Sequence, residues 1–101
     1  AIEERSLMMA RAVVERIDAD PQRHGLDQAR AVCRRWAEQT RAPVVREWQT
    51  ILDHAWSEIR SVLLDPSEEG RRLRQSDPFC GILSPRERWS LYREFARHEP
   101  K

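Results

Sequence analysis

Arg93 and His98 come closest, by residue type and spacing, to a reacting pair: an Arg, four residues, then a His. A guanidinium can hold a scissile phosphate while an imidazole moves a proton, the division of labour needed to cleave a ribonucleotide chain. In a chain of 101 residues this rich in Arg, however, one such spacing is expected by accident. The pair also falls at the fraying end of the last helix. The other histidines, His24 and His54, stand on separate elements, and none of the three has a His or Cys three or four positions away, so no metal site is expected. His54 beside Asp53, with Glu58 four residues on, reads as a solvated helix face. Cys33 and Cys80 have no sequence-local base, and three scattered glycines cannot form a phosphate-cradling loop. The chain is therefore expected to be no enzyme and to carry no cofactor.

The elements that position these residues are helical. Hydrophobic residues make up 40% and charged residues 35% of the chain, a balance that excludes disorder and suits a charged bundle. Leu7, Ala10, Val14 and Ile17 form one apolar stripe over residues 2–19, ended by Asp20-Pro21 because a residue before proline leaves helical geometry. A second helix, about 26–41, carries Leu26, Ala29, Cys33 and Trp36. A third begins at Pro43, with Trp48, Ile51, Leu52, Ala55, Ile59, Val62 and Leu63 in phase as far as residue 64. At 1.5 Å per residue it would span roughly 32 Å. Asp65-Pro66-Ser67-Glu68, with Asp65 as the cap, Pro66 first in the helix and Glu68 at its third position, predicts a short helix ending near Gln75, and Ser84-Pro85-Arg86-Glu87 opens a last one bearing Trp89, Tyr92, Phe95 and Ala96. No segment alternates at period two. The expectation is an all-α fold: a single domain over 1–101, with four or five helices around a long central helix at about 43–64.

Arg supplies seventeen of the eighteen basic residues, and the exception is Lys101. Residues 1–70 carry ten Arg against thirteen acids, while 71–101 carry eight basic residues against four acids. The positive end suits an acidic protein surface or weak nucleic-acid contact. Overall, at +1, the chain falls well short of a dedicated nucleic-acid binder, so direct nucleic-acid binding is not expected. Neither inter-helix gap suits a helix-turn-helix, the one after Gln75 being too long and the helix after Arg41 opening with Val44 and Val45. No apolar run approaches the roughly 20 residues that cross a bilayer. Two cysteines do not make a disulfide framework, and both read as reduced core thiols of a cytoplasmic protein. Opening on Ala1 rather than Met, the chain is expected to be a piece of a longer product.

The segment Leu73 to Leu83 departs from an ordinary helix connection. It sets Phe79, Ile82 and Leu83 between Pro78 and the capped start of the last helix, so it is either plugged into the core or presented to a partner. In the presented case Phe79 is the apolar anchor, and Arg71, Arg72, Arg74 and Arg86 meet carboxylates of a protein partner. In the plugged case Phe79 and Ile82 close one end of the bundle. Trp36, Trp48 and Trp89 lie on apolar stripes and are assigned to the core. Trp56, about 100° around its helix from Ala55, either widens the buried face or stands as an exposed anchor.

Three segments together resemble a group of small bacterial helical proteins encoded in gene pairs of toxin–antitoxin type. They are Glu4-Arg5-Ser6-Leu7 with Val13 through Pro21, Arg46 through Leu52, and Arg72 through Trp89, the last containing Leu73-Arg74-Gln75-Ser76-Asp77-Pro78-Phe79-Cys80-Gly81-Ile82-Leu83. The resemblance covers most of the chain and brings no catalytic motif. It implies a neutralising or regulatory partner, an antitoxin-like domain that binds a cognate toxin, in some members downstream of a helix-turn-helix domain. Arg93 and His98 also resemble the Arg-x4-6-His signature of the HEPN ribonucleases. That family favours Asn, Asp or His after the Arg, where Glu94 stands here. The ribonuclease, which would work as a homodimer, is therefore the alternative to the binding module, and a purely structural subunit is the third reading.

Overall fold

A computed structural model describes residues 2–98. Six helices follow one another: α1 (Ile2–Asp18), α2 (His24–Gln39), α3 (Pro43–Leu52), α4 (Trp56–Leu63), α5 (Glu68–Arg74) and α6 (Pro85–His98). No strand occurs among the described residues, and the fold is all-α. No helix is long and apolar enough to cross a membrane.

The first turn is built by Asp20, whose carboxylate accepts the amides of Gln22 (3.0 Å) and His24 (2.8 Å) and so caps α2 from outside. Those two amides hold the Asp20 carboxyl below its usual range. Arg23, at the cap position, takes φ 51°, a left-handed conformation a side chain enters only at a cost. Its guanidinium donates to the Ile17 carbonyl (3.2 Å) and lies 5.8 Å over the Trp56 ring, which secures it. Gly25 follows because a Cβ there would come within 2.8 Å of the Ile17 side chain.

The expected long central helix is two helices. Chain geometry changes at Asp53-His54-Ala55, where Ala55 is extended (φ −66°, ψ 153°) and α4 starts afresh. Two contacts hold the break. The Leu52 carbonyl, freed at the end of α3, accepts from Arg30 Nε at 3.0 Å. Asp18 of α1 accepts from Trp56 Nε1 (2.7 Å) and Arg60 Nε (3.0 Å), fixing the direction of α4. Trp56 is thus half-buried, packed on the edge of the core and hydrogen-bonded, and is not an exposed anchor.

Capping of α5 also differs from expectation. Ser67, not Asp65, is the cap: its hydroxyl accepts from the Gly70 amide at 3.2 Å. Asp65 instead accepts from the Ser67 amide at 2.9 Å, organising the turn before it. The α6 start is as the sequence predicts, with the Ser84 amide donating to Glu87 Oε1 (3.0 Å) and the Glu87 amide to Ser84 Oγ (3.1 Å). Glu87 Oε2 meanwhile pairs with Arg16, so one carboxylate both caps α6 and ties it to α1.

The core is centred on Trp48, which is fully buried, with Ile17, Val14, Ile59, Leu63 and Cys33 around it. Trp48 Nε1 donates to the Leu73 carbonyl at 2.9 Å, so the buried indole leaves no polar atom unmet. Trp36 is only half-buried and packs on the core margin.

Candidate functional site

The α5–α6 connection is plugged into the core. Phe79 is 3% exposed and meets Trp48 edge to face, and Pro78, Ile82 and Leu83 are buried beside it. An Asx turn drives the ring inward: Asp77 Oδ1 accepts the Phe79 amide at 2.9 Å. Phe79 therefore cannot be an exposed anchor, because the aromatic has a better partner in Trp48 than water offers.

The arginines expected around it part company. Arg74 is buried, its guanidinium donating to Ser6 Oγ (2.7 Å) and to the Leu63 (3.3 Å) and Asp65 carbonyls, so it holds α5 to α1 and to the end of α4. Arg72 is bound to Glu47 of α3 (2.7 Å) and to Glu69. Arg71 is half-buried. Arg72 and Arg86 are exposed, but Arg72 is held by its two ion pairs. The sequence therefore joined residues that the fold uses for internal support with one that it leaves outside.

A different surface emerges on α6. At 100° per residue, Arg86, Trp89, Ser90, Arg93 and Arg97 fall within about 100° of one another. All five are exposed, and Trp89 is 63% exposed, the largest apolar side chain open to solvent among the described residues. Assignment of Trp89 to the core is thus corrected. α6 packs on α1 through Leu91 and Phe95, with Arg5 lying over the Tyr92 (5.4 Å) and Phe95 (5.7 Å) rings, and Trp89 points well away from that seam. Among the described residues nothing covers it. Arg86, Arg93 and Arg97 have no ion-pair partner among the described residues. Arg93 belongs to this open face; the side chain of His98 lies outside the described residues.

Beside α6 a cleft of about 400 Å³ opens between α1 and the 75–83 loop. Met9, Val13 and Leu83 line it with apolar surface, and Arg74, Asp77 and Arg88 supply charge. Burial pushes the Asp77 carboxyl up to about 6, against the opposing pull of the Phe79 amide and of Arg74. Cys80 lines the same cleft and is exposed, which corrects its assignment to the core; Cys33 is buried, and burial raises its thiol. No group of three or more His, Cys, Asp or Glu converges as a metal site among the described residues.

Sequence reasoning missed Asp77 and Trp89 as residues of interest. Asp-Pro before an aromatic was a legible signal for the Asx turn of the first, but the burial of its carboxyl, which Asp20 and Asp65 do not share, needed the fold. The second needed the orientation of α6 on α1. No protein-family model matches the chain, nor does any curated protein or solved structure.

Proposed function

We propose that this chain is a cytoplasmic, non-catalytic binding module of antitoxin type that docks on an acidic surface of a partner protein through the outward face of α6. The observation that carries the reading is Trp89, a large aromatic standing in solvent within a stripe of arginines that have no ion-pair partner among the described residues. Tryptophan and arginine are the side chains that dominate interface energetics. Four Arg against two Glu over α6 favour an acidic partner. A second copy of the chain fits poorly, because two such faces would oppose three guanidiniums to three. RNA is disfavoured by the net −3 of residues 1–70, which repels a polyanion beyond the one helix. Two free thiols suit a reducing compartment.

Co-expression with the product of the adjacent gene tests this. A stoichiometric complex is expected, with growth arrest by that product relieved. Trp89→Ala and Arg93→Glu should each weaken the complex at least roughly tenfold while helicity is kept. A complex indifferent to both substitutions overturns the α6 interface. RNA cleavage by the chain alone, abolished by Arg93→Ala, overturns the binding reading altogether.

A further inference from the structure

We infer that a second copy of this chain docks by exchange of halves: the break at Asp53–Ala55 straightens, α3 and α4 become one helix, and α4–α6 of each copy packs on α1–α3 of the other. The α6 helix meets an α1 by the same seam in both arrangements, so its outward face stays uncovered and the exchange is separate from docking on an acidic protein.

Topology comes first. One connection, three residues long, joins α1–α3 to α4–α6. Across it the halves share much of what holds the fold: the Trp48–Phe79 ring pair, the Trp48 indole on the Leu73 carbonyl, Arg72 on Glu47, Arg16 on Glu87 and Arg74 on Ser6. Each of these contacts takes one residue from each half, so a second copy supplies every one of them unchanged. Exchange of identical elements therefore regains the interface, and the connection and the concentration decide between one chain and two.

The connection itself is ready to be helix. Ile51 through Ser57 contains neither Pro nor Gly. Buried Trp48, Leu52, Ile59 and Leu63 fall within about 60° of one another on an unbroken helix, so straightening keeps them on one side. His54 and Glu58, already paired, have the i,i+4 spacing of a helix surface. Straightening also supplies bonds that the break lacks. The amides of Ala55, Trp56 and Ser57 do not make the helical bonds to the carbonyls four residues back. Arg30 Nε stands in for one of them, on the Leu52 carbonyl at 3.0 Å. A continuous helix closes all three. Over its span of roughly 32 Å it also carries α4 out of reach of its own α1, which is why a second copy must receive it.

Light scattering after gel filtration reads the exchange, on protein refolded from urea at micromolar and at millimolar concentration. A monomer is expected from the dilute sample and a dimer from the concentrated one. Exchange is told from side-by-side pairing by Glu47→Cys with Arg72→Cys, in a Cys80→Ser background, treated with a short bismaleimide. The link should join two chains in the dimer and close within one chain in the monomer. Ala55→Ser favours the cap and disfavours the continuous helix, so the dimer dissociation constant should rise about a hundredfold, roughly tenfold for each hinge. Arg30→Met keeps an aliphatic stem but leaves the Leu52 carbonyl unmet in the closed chain and bonded in the straight helix. That constant should then fall at least about tenfold. A monomer at both concentrations in wild type and Arg30→Met alike, links confined within single chains of the dimer, or a dimer indifferent to Ala55→Ser would each overturn the exchange.

Discussion

Trp48 and Phe79 meet edge to face, ring centroids 6.0 Å apart and planes at 72°, joining α3 to the loop before α6. The geometry sets the positive edge of one ring against the negative face of the other. Thirty-one residues of chain separate the two, and the contact decides what the unusual loop is for. Its apolar residues complete the core under α6.

Phe79→Ala should accordingly cost stability instead of affinity. Emptying a buried aromatic site costs about 3–5 kcal/mol, a large share of what a domain this size holds. Urea unfolding should show that loss as a lower midpoint. Trp48→Phe keeps an aromatic partner but strands the Leu73 carbonyl, and about 1–3 kcal/mol is expected. A Phe79→Ala protein as stable as the wild type would place the ring outside the core.

Acidity gives the opposite sign from the usual carboxylate. Asp77 rises from 3.8 to about 6 because it is buried, so between those values the folded chain holds a proton that the unfolded chain has released. Stability from this group is therefore greatest below about 4 and is lost as pH rises towards 6. Asp77→Asn keeps an oxygen to accept the Phe79 amide and removes the charge. At neutral pH it should stabilise by up to about 3 kcal/mol and abolish the slope between pH 4 and 6. Asp18, Asp20 and Asp65 are lowered by their hydrogen bonds, so they stabilise above 3.8 and lose that contribution as pH falls further. A thermal-melt series against pH should pass through a maximum on the acid side of neutral. A melting temperature that is flat or rising from pH 4 to 6 would contradict the burial of Asp77.

How far the sequence revealed this follows from what each signal depends on. The Ser84–Glu87 capping box is local chemistry and was legible; so were the apolar faces of α1 and α2, which need only a 3.6-residue period. The break between α3 and α4 was not. Buried Leu52 and Ile59 are seven residues apart, about 20° short of two full turns, so the apolar stripe runs through the break in phase. Neither Pro nor Gly marks it, and what holds it is Asp18 and Arg30, distant in sequence. The α6 face was misread for a related reason. Trp89, Tyr92, Phe95 and Ala96 suggest one stripe, but α1 takes the side with Leu91 and Phe95, and period alone cannot choose between them.

The two thiols give a clean check on the same loop. Cys80 is exposed while Cys33 is buried, with its thiol raised by burial. A thiol reagent should modify one cysteine quickly in the native protein, and Cys80→Ser should remove that phase. Cys33 should react only on the timescale of unfolding, since both access and thiolate are withheld. Equal rates for the two would mean that the α2–α3 core is open.

Ala55 offers the sharpest test of the helix break, because the same substitution has opposite signs in the two architectures. In the observed structure it is the cap residue of α4, extended and exposed, with no side-chain hydrogen bond to the amides of the first turn. Ala55→Ser would supply that acceptor and stand three residues before Glu58, completing a capping box. A gain of about 1 kcal/mol is expected, the usual difference between alanine and serine at a cap. Within an unbroken helix from 43 to 64, serine would instead cost about half a kcal/mol, since its hydroxyl competes with the helical backbone. Chemical denaturation of the single variant decides between them: a raised midpoint fits two helices hinged at Asp53–Ala55, and a lowered one fits the continuous helix that the apolar pattern alone suggests.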